Sequence, residues 1–222
     1  MWRVRPRLRL RKGAVVVATA ALAGLVLIAC TVPGSPVPVP SSANSSSSVH
    51  SLPRQTDDDG RILPFETKFQ NRWSINNDGT RYEPCTQVPV SVVREFGLEE
   101  STVSDVAASD FQTARGCRWR FQDDRLSSLA QSVGNLTRPS EGLGGYKAMY
   151  ASSTAWFADT EVAGRPVLVG SYMDAECGAV VRSGNAVVIT SVLRLQSDPP
   201  PTRETCAVAV EFLRATINQI PV

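Results

Sequence analysis

Histidine is almost absent from this 222-residue chain, whose single histidine is His50. Ser-His-Asp triads and Cys-His pairs need an imidazole that accepts the proton of the nucleophile. Zinc and copper sites also use imidazole as a common ligand. Because His50 lies in a Ser- and Pro-rich segment, we expect no such site in the folded part of the chain, and we predict neither a metal nor a cofactor.

Other motifs of enzyme active sites are missing as well. The sequence has no Ser-x-x-Lys and no Gly-x-Ser-x-Gly, and its glycines lack the spacing of dinucleotide sites. Paired carboxylates, such as Asp174 and Glu176, are the catalytic arrangement that remains, and across a cleft of about 5–9 Å they would suit glycan hydrolysis. Two further pairs are adjacent in sequence: Glu99 with Glu100, and Asp123 with Asp124. The simpler interpretation of each pair is solvated charge.

The N-terminal segment has the features of a bacterial lipoprotein signal. Six basic residues precede an apolar run from Ala14 to Ala29, which at about 16 residues is shorter than the roughly 20 that span a bilayer. The run ends in Leu27-Ile28-Ala29-Cys30, the pattern of a lipobox, in which the cysteine is diacylated. We therefore predict a signal peptide over residues 1–29 and lipidation, palmitate included, at Cys30. A short anchor helix with an incidental cysteine is the alternative.

Without the signal, the chain is acidic. Loss of the six basic residues reduces 23 Lys and Arg to 17, against 21 Asp and Glu, for a net charge of about −4. Binding of nucleic acid, or adhesion to anionic lipid by overall charge, requires the opposite sign. We therefore predict no nucleic-acid partner, and attachment by acyl chains to the extracytoplasmic face of the cell membrane.

Residues 30–60 are predicted to comprise the acylated cysteine and a disordered tether. The segment from Thr31 to about Arg54 is rich in Pro and Ser, and it has too few large apolar residues to offset the entropy of ordering. Asp57-Asp58-Asp59-Gly60 is interpreted as its continuation. A plain spacer is favoured over an O-glycosylated one. The remaining residues, 61–222, suffice for one globular domain of ordinary size.

Four cysteines follow Cys30, and their even number in an exported chain predicts two disulfides. Three connectivities are possible. We favour Cys85–Cys117 and Cys177–Cys206, because each pair brackets one compact stretch. A four-cysteine zinc site is the rival interpretation, but no Cys-x-x-Cys spacing supports it.

Hydrophobic patterning predicts an α+β fold in which helices cover one face of an antiparallel sheet. Cys117 to Phe121 alternates as a half-buried strand, with Arg118 and Arg120 facing solvent. Further strands are predicted within Leu126–Leu136, Glu161–Met173, Gly178–Val181 and Ala186–Leu195. Helices are predicted for Pro89–Phe96, Gly142–Ser152 and Thr202–Asn218, the last with a continuous apolar face that includes Cys206.

Several short motifs resemble a family of actinobacterial lipoproteins, of the mycobacterial LprB and LprC type, that carry a domain of unknown function. The motifs are Arg72-Trp73, Asn77-Asp78-Gly79-Thr80, Tyr82-Glu83-Pro84-Cys85, Cys117-Arg118-Trp119, the late Cys177 and Cys206, and a terminal Ile220-Pro221. The resemblance covers about Lys68 to Val222. It implies an envelope lipoprotein with an α+β domain and two disulfides, and it supplies no catalytic residue and no cofactor.

The sequence favours a non-enzymatic binding or accessory module that recognises an envelope ligand or a partner protein. A long tether lets an anchored domain search a deep volume. A turn beside an aromatic residue can present polar groups next to an apolar platform, so Trp73, Asn77 and Asp78 are the candidate ligand-binding residues. A carboxylate-dependent hydrolase of envelope glycans and a purely structural envelope role are the alternatives.

Overall fold

One antiparallel sheet of eight strands dominates the computed structural model, which describes residues 52–222. The strands are β1 (Leu98–Asp105), β2 (Ala114–Phe121), β3 (Ser128–Asn135), β4 (Ala155–Trp156), β5 (Thr160–Val162), β6 (Arg165–Ser171), β7 (Glu176–Ser183) and β8 (Ala186–Leu193). The helices are α1 (Pro84–Gln87), α2 (Val90–Glu95), α3 (Gly142–Met149) and α4 (Thr202–Thr216), with 3-10 turns at Pro139–Glu141 and Ile217–Gln219. The predicted signal peptide and Cys30 lie outside the described residues, as does the tether up to residue 51.

The strand order is β1-β2-β3-β8-β7-β6-β4, and β4 and β5 pair with different parts of the same edge of β6. The β3–β8 pair joins segments that are far apart in sequence and places the two halves of the sheet side by side. Among residues 52–222, no helix is both long enough and apolar enough to cross a membrane.

The main hydrophobic core lies between the sheet and α4. Successive strand residues point to opposite faces, and in β7 the alternate residues Cys177, Ala179 and Val181 join the same buried cluster as Phe212 and Leu213 of α4. Burying each large apolar side chain in this way stabilises the fold by about 1.5–3 kcal/mol. The apolar stripe predicted for the C-terminal helix therefore has the expected role.

A smaller apolar cluster lies on the opposite face of the sheet. Val180 of β7 and Leu168 of β6 alternate with residues of the main core, and they pack with Tyr146 and Leu143 of α3. The antiparallel sheet with helices agrees with the predicted α+β class. The finer expectation, that the helices cover one face alone, is not confirmed, because α3 shields the β6–β7 end of the second face.

Most predicted elements are present with similar bounds. The helix expected after Pro89 is α2, and the alternating segment Cys117–Phe121 forms the second half of β2. Strand β1 was not predicted. It is an edge strand with an irregular register between Glu99 and Ser104, so most of its side chains remain polar and partly exposed.

The folded part begins before the predicted boundary at residue 61. Asp57 is buried, and its Oδ1 accepts hydrogen bonds from the backbone N–H groups of Asp59 and Arg61, both at 2.9 Å. The Thr86 hydroxyl donates to Asp57 Oδ2 at 2.5 Å. Burial alone would raise the pKa of Asp57, but the hydrogen bonds from Thr86 and from the turn hold it below its usual value. The Asp-rich turn is therefore part of the domain rather than of the tether.

Both favoured disulfides are confirmed. Cys85–Cys117 joins α1 to β2, and Cys177–Cys206 joins β7 to α4. They close loops of 32 and 29 residues by sequence separation, which on the chain-entropy model stabilises the fold by about 3–4 kcal/mol each. The described cysteines are thus all paired, and no group of metal-ligating side chains is found in the part of the chain that the structure describes.

Candidate ligand groove on the open face of the sheet

Trp73, the aromatic member of the predicted binding patch, contacts two arginines. The guanidinium carbons of Arg54 and Arg72 each lie 4.6 Å from its ring centroid. The ring is half-buried, and its cation–π contacts are made to arginines of the same chain rather than left for a ligand. Trp73 therefore anchors the N-terminal segment to the loop before α1.

Asn77 is fully buried and its side-chain amide is saturated by the chain itself. Its Nδ2 donates to the carbonyl oxygens of Arg72 and Gln112, both at 3.0 Å, and its Oδ1 accepts from the N–H of Ser74 at 3.1 Å. Asp78 is exposed and accepts from Asn135 Nδ2 at 2.8 Å. The turn is docked on the end of the sheet, and Asn77 has no group left for a ligand.

A buried ion cluster lies behind this turn. Arg72 forms a two-bond pair with Glu83, at 2.7 and 3.1 Å, and Arg72 Nε donates to Asp105 at 2.8 Å. Arg115 donates to the backbone carbonyls of Tyr82 and Thr80 and lies 3.4 Å from Glu83. Burial would lower the pKa of Arg72, but Glu83 and Asp105 raise it overall, so the guanidinium stays charged. Because Arg72 and Glu83 are buried and paired with each other, the ion cluster beside the Cys85–Cys117 disulfide has a structural role.

Among residues 52–222, no helix covers the face of the sheet opposite α4 at β1, β2, β3 and part of β8, and a groove of about 590 Å³ runs across it. Its lining consists of three arginines, four hydroxyl side chains and three leucines: Arg118, Arg120, Arg125, Thr102, Ser104, Ser127, Ser128, Leu126, Leu193 and Leu195. The cross-strand pairs Ser128–Arg120 and Ser128–Leu193 show that neighbouring strands contribute the floor. Ser128, a small side chain, lies between Arg120 and Leu193 and leaves the space of the groove above it.

The arginines of this groove have no ion-pair partner among the described residues. Arg118 and Arg120 alternate with the buried Cys117, Trp119 and Phe121, so both project from the open face, as the sequence predicted. Glu99 lies opposite Arg120 in the strand register, yet no ion pair joins them in the described chain. Two exposed charges of one sign, two residues apart on a strand, repel each other.

The turn after β2 adds the third arginine. Asp124 accepts hydrogen bonds from the Ser127 hydroxyl and from the Leu126 N–H. Both bonds hold the pKa of Asp124 below its usual value, and the bond from Ser127 has the larger effect. This fixes the 124–127 turn, which carries Arg125 and Leu126 into the groove lining. Nothing in the sequence around Arg125 signals this placement, because it depends on how the turn lies against Leu195.

An aromatic cluster borders the other end of the open face. Tyr146 and Tyr150 have ring centroids 4.7 Å apart, and Tyr172 lies 6.3 Å from Tyr150. Glu176 lies nearby, 7% exposed, and accepts hydrogen bonds from the Ser191 hydroxyl at 2.9 Å and the Tyr172 N–H at 3.0 Å. Burial raises the pKa of Glu176, against the opposite effect of those two bonds.

Most of the carboxylates in the predicted pairs form local hydrogen bonds or ion pairs. Asp174 is exposed in the turn before β7, whereas the Glu176 carboxylate is bound by Ser191 and the Tyr172 N–H. In the other two pairs, each carboxylate has a different partner. Glu100 binds Arg94 and Glu99 accepts from Ser101, while Asp123 binds Arg194 and Asp124 accepts from the N–H of Leu126 in its turn. Five of these six carboxylates within residues 52–222 are therefore held by local hydrogen bonds or ion pairs, and only Asp174 is exposed without such a bond.

Comparison with known proteins places the chain in a family. No curated protein matches it. The family model described as "Protein of unknown function (DUF3558)" matches residues 25–219, which is most of the sequence and includes the segment around Cys30. The chain is therefore a member of the DUF3558 family, whose function is unknown.

Proposed function

We propose that the protein is an extracytoplasmic lipoprotein, anchored in the cell membrane through Cys30, whose domain is a non-enzymatic binding module for an envelope ligand or partner. The lipobox at Leu27–Cys30 supports the anchor, and the family match begins at residue 25, before that motif. We also assign it to the actinobacterial lipoproteins of the LprB and LprC type, on the motifs around Trp73, Cys85 and Cys117.

The observation that carries the binding role is the arginine-lined groove. Arg118, Arg120 and Arg125 line a single concavity without acidic partners in the described chain, although the mature protein is acidic overall. Guanidinium groups recognise anionic groups by charge and by directional hydrogen bonds. The groove therefore favours an anionic ligand or an acidic patch on a partner.

The hydrolase alternative has no observation of its own. All the predicted carboxylates except the exposed Asp174 are bound in local contacts, and the groove is lined by arginines, hydroxyls and leucines rather than carboxylates. A purely structural envelope role would leave the exposed arginine groove without a purpose. Binding is the function that uses the features of the described domain.

The test is site-specific crosslinking in intact cells. A photo-crosslinking amino acid at Ser128, in the groove floor, is compared with one at Arg203, an exposed residue of α4 on the covered face. We expect a discrete crosslinked product at Ser128 that is absent at Arg203. It should disappear when the groove arginines are replaced by Gln.

A matched control keeps the change in net charge the same. Arg81, Arg203 and Arg214 are exposed arginines outside the groove, and replacing all three by Gln removes three charges elsewhere. If both triple variants reduce the crosslink at Ser128 equally, overall charge rather than the groove attracts the ligand. Equal crosslinking at Ser128 and Arg203 would reject the binding site itself.

A further inference from the structure

We infer that the groove binds a phosphate ester joined to an apolar chain, with the phosphate on the arginines and the chain on the leucines at the groove's edge. The inference rests on the proposed binding function and names its ligand class. Two observations support it: the charge arrangement of Arg118, Arg120 and Arg125, and the exposure of Leu126 and Leu195 in the same lining.

The arginines favour phosphate as the anionic group. Arg118 and Arg120 lie two residues apart on one strand face, so their Cα atoms are about 7 Å apart, and neither guanidinium forms an ion pair in the described chain. A phosphate offers several oxygens to the forked donors of more than one guanidinium, whereas a single carboxylate accepts one fork at a time. The hydroxyl of Ser128 supplies a further donor in the groove floor, whereas that of Thr102 already donates to the carbonyl oxygen of Glu99.

The leucines show that the ligand has an apolar part. Leu126 is 71% exposed and Leu195 is 49% exposed, and both line the groove together with Leu193. A small anion held by the arginines would leave these side chains in water. An apolar chain attached to the phosphate would cover them, and this burial would add to the electrostatic attraction.

The net negative charge of the mature chain confines the binding of an anion to the groove. The mature chain has 17 basic and 21 acidic side chains, so it does not attract anions in general. Three adjacent arginines in such a chain form a local positive site, and its attraction for an anion is screened by salt over about 10 Å at 0.1 M. The expected ligand therefore binds at this groove and not over the surface.

The experiment titrates the whole mature chain with Cys30→Ala, which removes acyl chains that would themselves mix with lipid. The probes are glycerol 3-phosphate, dihexanoylphosphatidylglycerol below its micelle concentration, octyl glucoside and a tetraglutamate peptide. Binding is followed by nuclear magnetic resonance shifts at several salt concentrations. We expect dihexanoylphosphatidylglycerol to bind at least tenfold more tightly than glycerol 3-phosphate, and octyl glucoside and tetraglutamate to bind more weakly than both.

Two sets of variants separate the parts of the ligand. R118Q, R120Q and R125Q together should weaken both phosphate probes at least tenfold, with an unchanged melting temperature because the three side chains are exposed. Leu126→Asn with Leu195→Asn should reduce the affinity for the lipid to that for glycerol 3-phosphate and leave the latter unchanged. The triple variant of Arg81, Arg203 and Arg214 should retain both affinities.

Other results overturn the inference in distinct ways. Tightest binding of tetraglutamate would make the ligand an acidic peptide, and equal binding of octyl glucoside would make it an apolar molecule without phosphate. Binding to vesicles of phosphatidylcholine and phosphatidylglycerol, but to neither phosphate probe, would make the groove a membrane-contact surface. If no probe binds while the arginine-dependent crosslink at Ser128 persists, the ligand class is wrong and the proposed binding function stands.

Discussion

Arg72 is among the largest fully buried side chains of the described domain, and its charge is balanced where it lies. Glu83 accepts two of its hydrogen bonds and Asp105 a third. The desolvation of two buried ions offsets much of their attraction, so the pair itself adds little net stability. What matters is that neither ion is left alone beside the Cys85–Cys117 disulfide.

Replacement of Arg72 by Met should therefore destabilise the domain strongly, by about 3–5 kcal/mol, because Glu83 would keep a buried charge that has lost its two-bond partner and retains only Arg115, 3.4 Å away. Urea unfolding measures the loss. The matched control is Arg81→Met, whose side chain is 74% exposed and pairs with Asp59 at the surface, for which we expect less than about 1 kcal/mol. Equal effects of the two substitutions would contradict this account of the ion cluster.

Glu176 gives a pH-dependent prediction at the same scale. Burial raises its pKa in the folded state above the value in the unfolded chain. The folded state then holds the proton more firmly, so stability falls as pH rises from the unfolded pKa through the folded one and is constant above it. Glu176→Gln should remove this decline and unfold at an equal or higher urea concentration at neutral pH. A clear loss of stability at pH 7 in the variant would show that the carboxylate bonds to Ser191 and Tyr172 outweigh its desolvation.

At the scale of elements, the sequence predicts best where a buried face repeats regularly. The stripe of α4 and the alternation of β2 were both recognisable because each buries one face against a core. β1 was not, because an irregular edge strand keeps polar side chains on both faces. The turn containing Asn77 was recognised as a turn, but its docking against Asn135 depends on residues more than fifty positions away, which local patterns do not encode.

The Cys177–Cys206 bridge makes the packing of α4 on β7 covalent, so its removal tests that element pair. Cys177→Ala with Cys206→Ala should lower the free energy of unfolding by about 2–4 kcal/mol, chiefly because the unfolded chain regains the entropy of a loop of 29 residues. Chemical denaturation of the variant, with the Cys85–Cys117 bridge intact, measures the change. Full stability without the bridge would mean that the apolar contacts of Phe212 and Leu213 alone hold α4 in place.

At the scale of the whole molecule, the sequence and the structure supply different parts of the functional argument. The lipobox and the tether are predicted from the sequence, and they lie outside the described residues up to residue 51. The groove is a structural feature. The outward direction of Arg118 and Arg120 follows from alternation, but their meeting with Arg125, Leu126 and Leu195 requires the long-range pairing of β3 with β8 and a fixed turn.

The anchor is tested by Cys30→Ala in the full-length protein. Because acylation takes place on the thiol, and because the mature chain is acidic and does not adhere to anionic lipid by overall charge, the variant should leave the membrane fraction or accumulate as an unprocessed precursor. Fractionation and the mass of the mature N-terminus distinguish these outcomes. Cys30→Ser, which keeps the size of the side chain but not the thiol, should behave in the same way. Normal processing with full membrane retention in both variants would reject the lipid anchor and leave the groove as a binding site on a protein held by other means.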